Sequence, residues 1–230
     1  MNLLTLNNAK IEKSNKSGKG YLSAIMHLAP YNLSGRNVCP QASKGCAAAC
    51  LNTAGFGRYK MVQDARIKRT QWFFDNRKEF MKQLRKEIAT FVKRCKKNKV
   101  KPAIRLNGTS DIKWEELSGG LFTEFPTVQF YDYTKITKRM IRFCEGKLPS
   151  NYHLTFSRSE SNDKDVQSVL TAGGNVAVVF KDSLPKKWQG FKVIDADNTD
   201  QRFLDPKNIV CGLLAKGKGK KDSSGFVILN

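Results

Sequence analysis

Histidine is almost missing from this chain of 230 residues: only His27 and His153 occur. That shortage argues against a zinc site rich in imidazole, which needs several histidines at fixed spacing. Long hydrophobic runs are missing too. No stretch approaches the ~20 apolar residues of a membrane span, so no membrane partner is expected. The segment 1–10 is short and broken by asparagine, unlike a signal peptide. Neither a Walker-type phosphate loop nor a GxGxxG fingerprint after a strand candidate is present. Internal repeats and linker-like stretches are lacking, so one domain over 1–230 is expected. Acidic residues are scarce: 20 Asp and Glu face 41 Lys and Arg, for a net charge of +21. Such a balance attracts polyanions, and nucleic acid or a nucleotide is the expected partner. A soluble, cytoplasmic protein with reduced thiols is the expectation.

What the chain does have is a clump of cysteines. Three of its six fall in the stretch CPQASKGCAAAC: Cys39, Cys46 and Cys50. Clustered thiols in a reducing setting indicate a metal or iron–sulfur site before they indicate disulfides. Thiolates are soft ligands that suit iron–sulfur clusters or zinc. Gly45 permits a tight turn before the second cysteine. The small Ala47, Ala48 and Ala49 leave room for a bulky inorganic centre. Three ligands leave a fourth position open, or closed by the distant Cys144 or Cys211. Cys95 belongs to an apolar helical stripe and reads as a core thiol.

The rest of the chain alternates strands with polar clusters and helices. The run 21–30 has strand length and ends at Pro30. The polar segment 11–20 reads as a loop or hairpin tip. Two helices are expected over 59–74 and from Asn76 onward, with Glu79 completing a capping box. Phe80, Leu84, Ile88, Phe91 and Cys95 make one stripe on the second. Short strands are expected near 102–106, 127–131, 152–156, 175–180, 191–194 and 208–214. Helical segments near 114–117, 136–144 and 163–172 lie between them. This alternation is the grammar of a parallel α/β fold. The last two strands have an antiparallel alternative. The glycine- and lysine-rich 215–225 reads as a mobile loop before the closing apolar run.

In such folds, ligands gather at the carboxyl ends of strands. The polar clusters there supply the other candidates. Asp195, Asp197 and Asp200 put three acids in six residues, a set able to hold Mg²⁺ or act as a general base. Asp111, Asp132 and Glu160 are further acids at strand ends; turn-capping is the alternative reading for all six acids. Asn107, Ser157 and Arg158 offer donors for carboxylate or phosphate. Tyr131 and Tyr133 are candidates to stack a base, with core packing the better reading for Tyr131. Lys216, Lys218, Lys220 and Lys221 alternate with glycines and suit phosphate contact with nucleic acid.

The segments LSAIMHLAPYNLSGRNVCPQASKGCAAACLNTAGFGR, PAIRLNGTSDI, FYDYTK, LTFSRSE and VIDADNTDQRFLDP with LLAKGKGKKDSSGF cover most of the chain. They resemble a bacteriophage family designated by a number, gene product eighty-eight. That resemblance implies a phage protein working in the host cytoplasm. In layout, the three-cysteine loop after the first strand also resembles radical S-adenosylmethionine (SAM) enzymes. This second resemblance implies a partial (β/α) barrel and a 4Fe-4S cluster on Cys39, Cys46 and Cys50. Asn107, Ser157 and Arg158 would then hold S-adenosylmethionine. The chain departs from that pattern in its C-x6-C-x3-C spacing, where C-x3-C-x2-C is usual. NGTSD also stands where a GGE-type segment would be. The function expected on these grounds is radical-SAM-like chemistry on nucleic acid or a nucleotide. The alternatives are a non-enzymatic, metal-stabilised nucleic-acid-binding protein, or a Mg²⁺-dependent nuclease or replication protein using Asp195, Asp197 and Asp200. Zinc is the alternative metal.

Overall fold

The computed structural model describes residues 1–6, 12, 15–16 and 20–229. Most of the hairpin or loop expected over 11–20 lies outside the described residues. The chain opens with strands β1 (Leu4–Thr5) and β2 (Tyr21–Met26) and a short helix α1 (Lys44–Ala48). Two long helices follow, α2 (Lys60–Asp75) and α3 (Arg77–Lys97). Next come β3 (Lys101–Arg105), the one-turn helices α4 (Trp114–Leu117) and α5 (Leu121–Glu124), and β4 (Gln129–Thr134). Then α6 (Thr137–Cys144), β5 (Tyr152–Ser157), α7 (Asp163–Thr171) and β6 (Val176–Phe180) continue the alternation. The chain closes with β7 (Lys187–Trp188), β8 (Phe191–Asp195), β9 (Val210–Leu214) and β10 (Val227–Ile228).

The strands form one sheet in the order β1-β2-β3-β4-β5-β6-β9-β8-β7. Pairing is parallel except for β1 on β2 and β7 on β8. The antiparallel alternative for the last two long strands is corrected: β8 and β9 pair in parallel. β10 lies parallel to β6, pairing Val227 with Val179 where β5 has already run out at Ser157. From β2 to β6 each connection steps one place in the same direction. Right-handed crossovers then put the connecting helices on one face, while α1 sits at the strand ends. The result is an α/β arc, mostly parallel, whose sheet does not close.

Side-chain alternation along the strands separates the two faces. Met26, Ile104, Phe130, Leu154, Phe156, Val178 and Val210 pack on the helices in the main core. Helix α3 contributes its stripe there: Phe80, Leu84, Ile88, Phe91 and Cys95 are all buried. Each such side chain stabilises by roughly 1.5–3 kcal/mol when fully buried. Its first turn is capped by Asn76, whose side-chain oxygen accepts from the Glu79 amide at 3.3 Å. Phe73 meets Phe80 and Trp114 edge-on, each at 5.3 Å.

The other face is polar and aromatic, and the segment after β8 lies across it. Phe203 packs on Tyr21 at 4.9 Å and on Tyr131 at 5.3 Å. Gln201 Nε2 donates to Ser23 Oγ at 3.1 Å. Asp200 pairs with Arg105 at 3.1 Å. This lid covers Tyr131, which is fully buried, and Arg105 stacks on Tyr133 at 4.5 Å. Tyr131 thus packs in the interior as expected, and the base-stacking expectation is corrected for Tyr133, whose ring is covered by Arg105.

Buried titratable groups give the fold a pH dependence. Burial, reinforced by nearby arginines, lowers His27 to about 3 and His153 to about 4, from 6.5. Burial raises Asp132 to about 7, from 3.8. Between pH 6.5 and 5 the unfolded chain protonates both histidines and the native state neither, so acid destabilises the fold. Asp132 acts oppositely: the native state holds its proton from about pH 7 downward while the unfolded chain does not. Asp111, also raised by burial, adds to Asp132, but the two histidines titrate across this range and outweigh them, so urea midpoints should fall from pH 6.5 to 5. A His27→Gln/His153→Gln variant should lose that fall and reverse it.

Candidate thiol–metal centre

The cysteine loop leaves the carboxyl end of β2 and is stitched to the loop after β3. Gly108 N donates to Met26 O at 2.9 Å, and Asp111 N to Val38 O at 2.8 Å. Thr109 Oγ1 donates to Leu28 O at 2.6 Å. Gly108 is required by this closeness, because a Cβ there would sit 2.6 Å from Met26 O. Cys39 Sγ accepts from Tyr31 N at 3.4 Å and lies 3.7 Å from Thr109 O.

Cys46 rides on α1, whose first turn is clamped from the loop after β5. Ser43 caps the helix by accepting from Cys46 N at 3.2 Å. Glu160 accepts from Ser43 Oγ and from Gly45 N, each at 2.7 Å. Burial pushes Glu160 up, but these two bonds outweigh it and hold the carboxyl below its usual range. Gly45 faces the final turn: a Cβ there would overlap Ser224 Oγ and come within 2.8 Å of Phe226 Cβ.

Cys50 opens the next turn, and its sulfur accepts from Asn52 N at 3.5 Å. The Asn52 side chain is held by the buried Arg66. The 215–225 segment packs here and forms a 3-10 turn over Gly217–Lys221. Lys218 N donates to Thr53 Oγ1 at 3.3 Å. Ala49, Ala215, Phe226 and Val227 make a small core, with Cys46 packed against it. The stretch read as a mobile loop is thus an ordered wall of the cysteine site.

All six cysteines are free. Burial raises each clustered thiol, Cys39 to about 12. The three sense one another: Cys46 and Cys50 both act on Cys39, and Cys46 acts on Cys50. Two cations work the other way. Lys135 favours the thiolate of Cys46 by charge and hydrogen bond, and Arg66 with Lys135 favours that of Cys50. Among the described residues, no three His, Cys, Asp or Glu side chains converge tightly enough to hold one metal ion. Cys211 packs in a separate small cluster with Ala177 and Ala196. Cys144 lies at the end of α6 beside Gly174.

The donors expected to hold S-adenosylmethionine are engaged within the protein. Asn107 is buried, and its Oδ1 accepts from Ser110, Ile112 and Trp114 at 2.7, 3.0 and 3.1 Å. Its Nδ2 donates to Ile112 O and Asp132. Ser157 Oγ accepts from Lys135 Nζ at 2.6 Å. Arg158 donates to Asp163 at 2.9 Å and to the carbonyls of Gly225 and Phe226. It pins the last turn that covers Gly45.

The three aspartates after β8 do not share a site. Asp195 caps its own turn, accepting from Asp197 N and Asn198 Nδ2 at 2.8 Å. Asp197 accepts from Leu214 N at 2.9 Å and pairs with Lys216. Asp200 belongs to the buried pair with Arg105. Lys216 is thereby engaged, while Lys218, Lys220 and Lys221 are exposed.

Two features went unread in the sequence. One is the Arg139 hub, which joins the ends of β3, β4 and β5. Arg139 grips Glu115 through two bonds of 2.8 Å and Asp111 at 3.0 Å. Tyr152, which it also contacts, donates to Asp132 at 2.7 Å. The other is a cleft of about 570 Å³ beside the thiols. Gln41 of the cysteine loop, Lys135, Lys138 and Arg142 line it, together with the acids Glu116 and Asp165. A run of cations and small donors after two adjacent strands was its only sequence signal.

These observations define an α/β protein with a thiol-bearing loop docked over the carboxyl ends of parallel strands. The chain belongs to the family described as Gene product 88, whose family model matches residues 2–230. That assignment agrees with the phage resemblance of the sequence. No curated protein and no solved structure matches the chain. No helix among the described residues is long and apolar enough to cross a membrane.

Proposed function

We propose that Cys39, Cys46 and Cys50 hold an iron–sulfur cluster, and that the protein acts on nucleic acid or a nucleotide. The supporting observation is the thiol arrangement. The three sulfurs lie on one loop docked over the strand ends and share one electrostatic neighbourhood. Thiolates with few histidines in the chain suit a cluster better than zinc. Lys135 and Arg66 offset the negative charge of three thiolates. When bound, such a cluster supplies electron transfer or an open iron. The open arc with helices on one face is compatible with a radical-SAM-like barrel. The engagement of Asn107, Ser157 and Arg158 leaves S-adenosylmethionine outside the proposal. The charge of +21 and the cationic cleft support an anionic substrate.

The test is iron, sulfide and zinc analysis of anaerobically purified protein, with a visible spectrum. Iron and sulfide in equal amounts in a brown protein are expected. Ser replacements at Cys39, Cys46 or Cys50 should strip them, and Cys144→Ser should not. A colourless protein containing zinc would overturn the cluster.

A further inference from the structure

The segment after Cys50 exposes large apolar side chains to a degree that core packing does not explain. Phe56 is 67% exposed, Tyr59 48%, Leu51 52% and Met61 81%. The backbone carrying them is well held. Gly57 is buried, and a Cβ on it would come within 2.9 Å of Asn52 O. Gln63 Nε2 donates to Gly57 O at 3.0 Å. Inward packing of Gly57 leaves Phe56, Arg58 and Tyr59 on the outside. The two rings lie 6.1 Å apart, and Arg58 stacks on Tyr59 at 5.3 Å.

The glycine–lysine turn abuts this surface. Gly217 packs so closely on Thr53 that a Cβ would lie 2.9 Å from its carbonyl, which docks the Lys218–Lys221 turn on the 51–53 turn that leads into Phe56. The nearby acids are occupied: Asp64 pairs with Lys60 at 2.8 Å, and Asp222 accepts from Ser224 Oγ and Val227 N. Among the described residues Arg58, Lys218, Lys220 and Lys221 have no ion pair. Aromatic faces interleaved with unpaired cations are the composition of a stacking platform for unpaired bases with a phosphate track. A second copy of this chain is a poor occupant, because its charge is also +21.

We infer that Phe56, Tyr59, Arg58 and the Lys218–Lys221 turn form a binding surface for single-stranded nucleic acid, next to the cysteine site. The inference rests on the nucleic-acid half of the proposed function and is independent of the cluster. The rings stack on bases, which a duplex keeps covered, and the lysines follow the phosphates.

Fluorescence anisotropy with a labelled single-stranded DNA, and with the duplex of the same sequence, tests it on the full chain. Tight single-strand binding is expected. Phe56→Ala/Tyr59→Ala should weaken it about tenfold or more, since each stacked base contributes roughly 1–3 kcal/mol. That variant should keep the salt dependence. A Lys218→Ala/Lys220→Ala/Lys221→Ala variant should reduce the log–log salt slope by about 2, at ~0.7 per phosphate contact. All these side chains are exposed, so thermal melts should match the parent. Binding to duplex alone leaves the nucleic-acid reading standing and overturns this surface. Unchanged single-strand affinity in the aromatic variant overturns it, as does binding to phosphatidylserine vesicles without binding to DNA.

Discussion

Asp200→Ala is expected to destabilise the fold by about 3–5 kcal/mol, because it strands a buried guanidinium. The Asp200 side chain is 1% exposed and that of Arg105 11%. Arg105 Nη1 donates to both carboxylate oxygens, at 3.1 and 3.3 Å. Burial pulls the Arg105 pKa down, and Asp200, the largest opposing charge, reverses this together with Tyr133, Tyr131 and Asp132. Without Asp200 the guanidinium faces the Tyr131 and Tyr133 rings with no ion-pair partner, and only the weaker field of Asp132 remains. Total stability of a domain is about 5–15 kcal/mol, so the loss is a large share. Asp195→Ala is the contrast: its carboxyl is exposed and serves one turn, so about 1 kcal/mol is expected. Urea unfolding of the two variants checks this. A loss below ~1 kcal/mol for Asp200→Ala would show that the pair is dispensable, and would return Asp200 to the catalytic candidates. Arg105→Met added to Asp200→Ala should recover part of the loss, because it removes the orphaned charge.

The sheet was legible because its strands are short apolar runs closed by polar clusters. NVAVVF and NIVCGLL read as buried strands at sight, and β6 and β9 stand there. The stripe Phe80–Cys95 has the helical period and lies on α3. What remained hidden depends on contacts distant in sequence. Glu160 reads as a generic strand-end acid, and only the fold carries it 115 residues back to Gly45 N. Asp195, Asp197 and Asp200 read as one acidic cluster, because spacing does not reveal that a backbone turns between them. Asp200 faces β3, and Asp197 faces the start of the lysine turn. Lys216–Lys221 read as a free loop, because local composition hides the packing of Gly219 and Ala215 on Ala49. Phe56 and Tyr59 were open to reading, since GFGRYK alternates rings with cations. The clustering of Cys39, Cys46 and Cys50 was legible outright.

Gly45→Val is expected to open the cysteine site while leaving the sheet in place. The β-carbon alone would overlap Ser224 Oγ and press on Phe226 Cβ at 2.8 Å and Glu160 Cδ at 2.9 Å. Ser224 can rotate away, but Phe226 is anchored by the Arg158 bond to its carbonyl. The easier response is for α1 to lift, giving up the bonds from Ser43 and Gly45 to Glu160. Overpacking of this kind costs about 1–3 kcal/mol, which shifts a local opening equilibrium roughly 5- to 150-fold. In metal-free protein the rate of Cys46 with an aromatic disulfide reagent should rise within that range. The extra rate should vanish when Cys46→Ser is added. Gly219→Ala is the matched control in the same small core: its new methyl would meet Ala49 Cβ at 3.6 Å, an ordinary contact. It should leave thiol reactivity unchanged. The thermal midpoint of Gly45→Val should move little, because the atoms that the new β-carbon meets, on Ser224, Phe226 and Glu160, lie outside the main core. A variant with parental thiol rates would mean that the Glu160 clamp does not position Cys46. An unfolded variant would mean that the loop and the sheet form one cooperative unit.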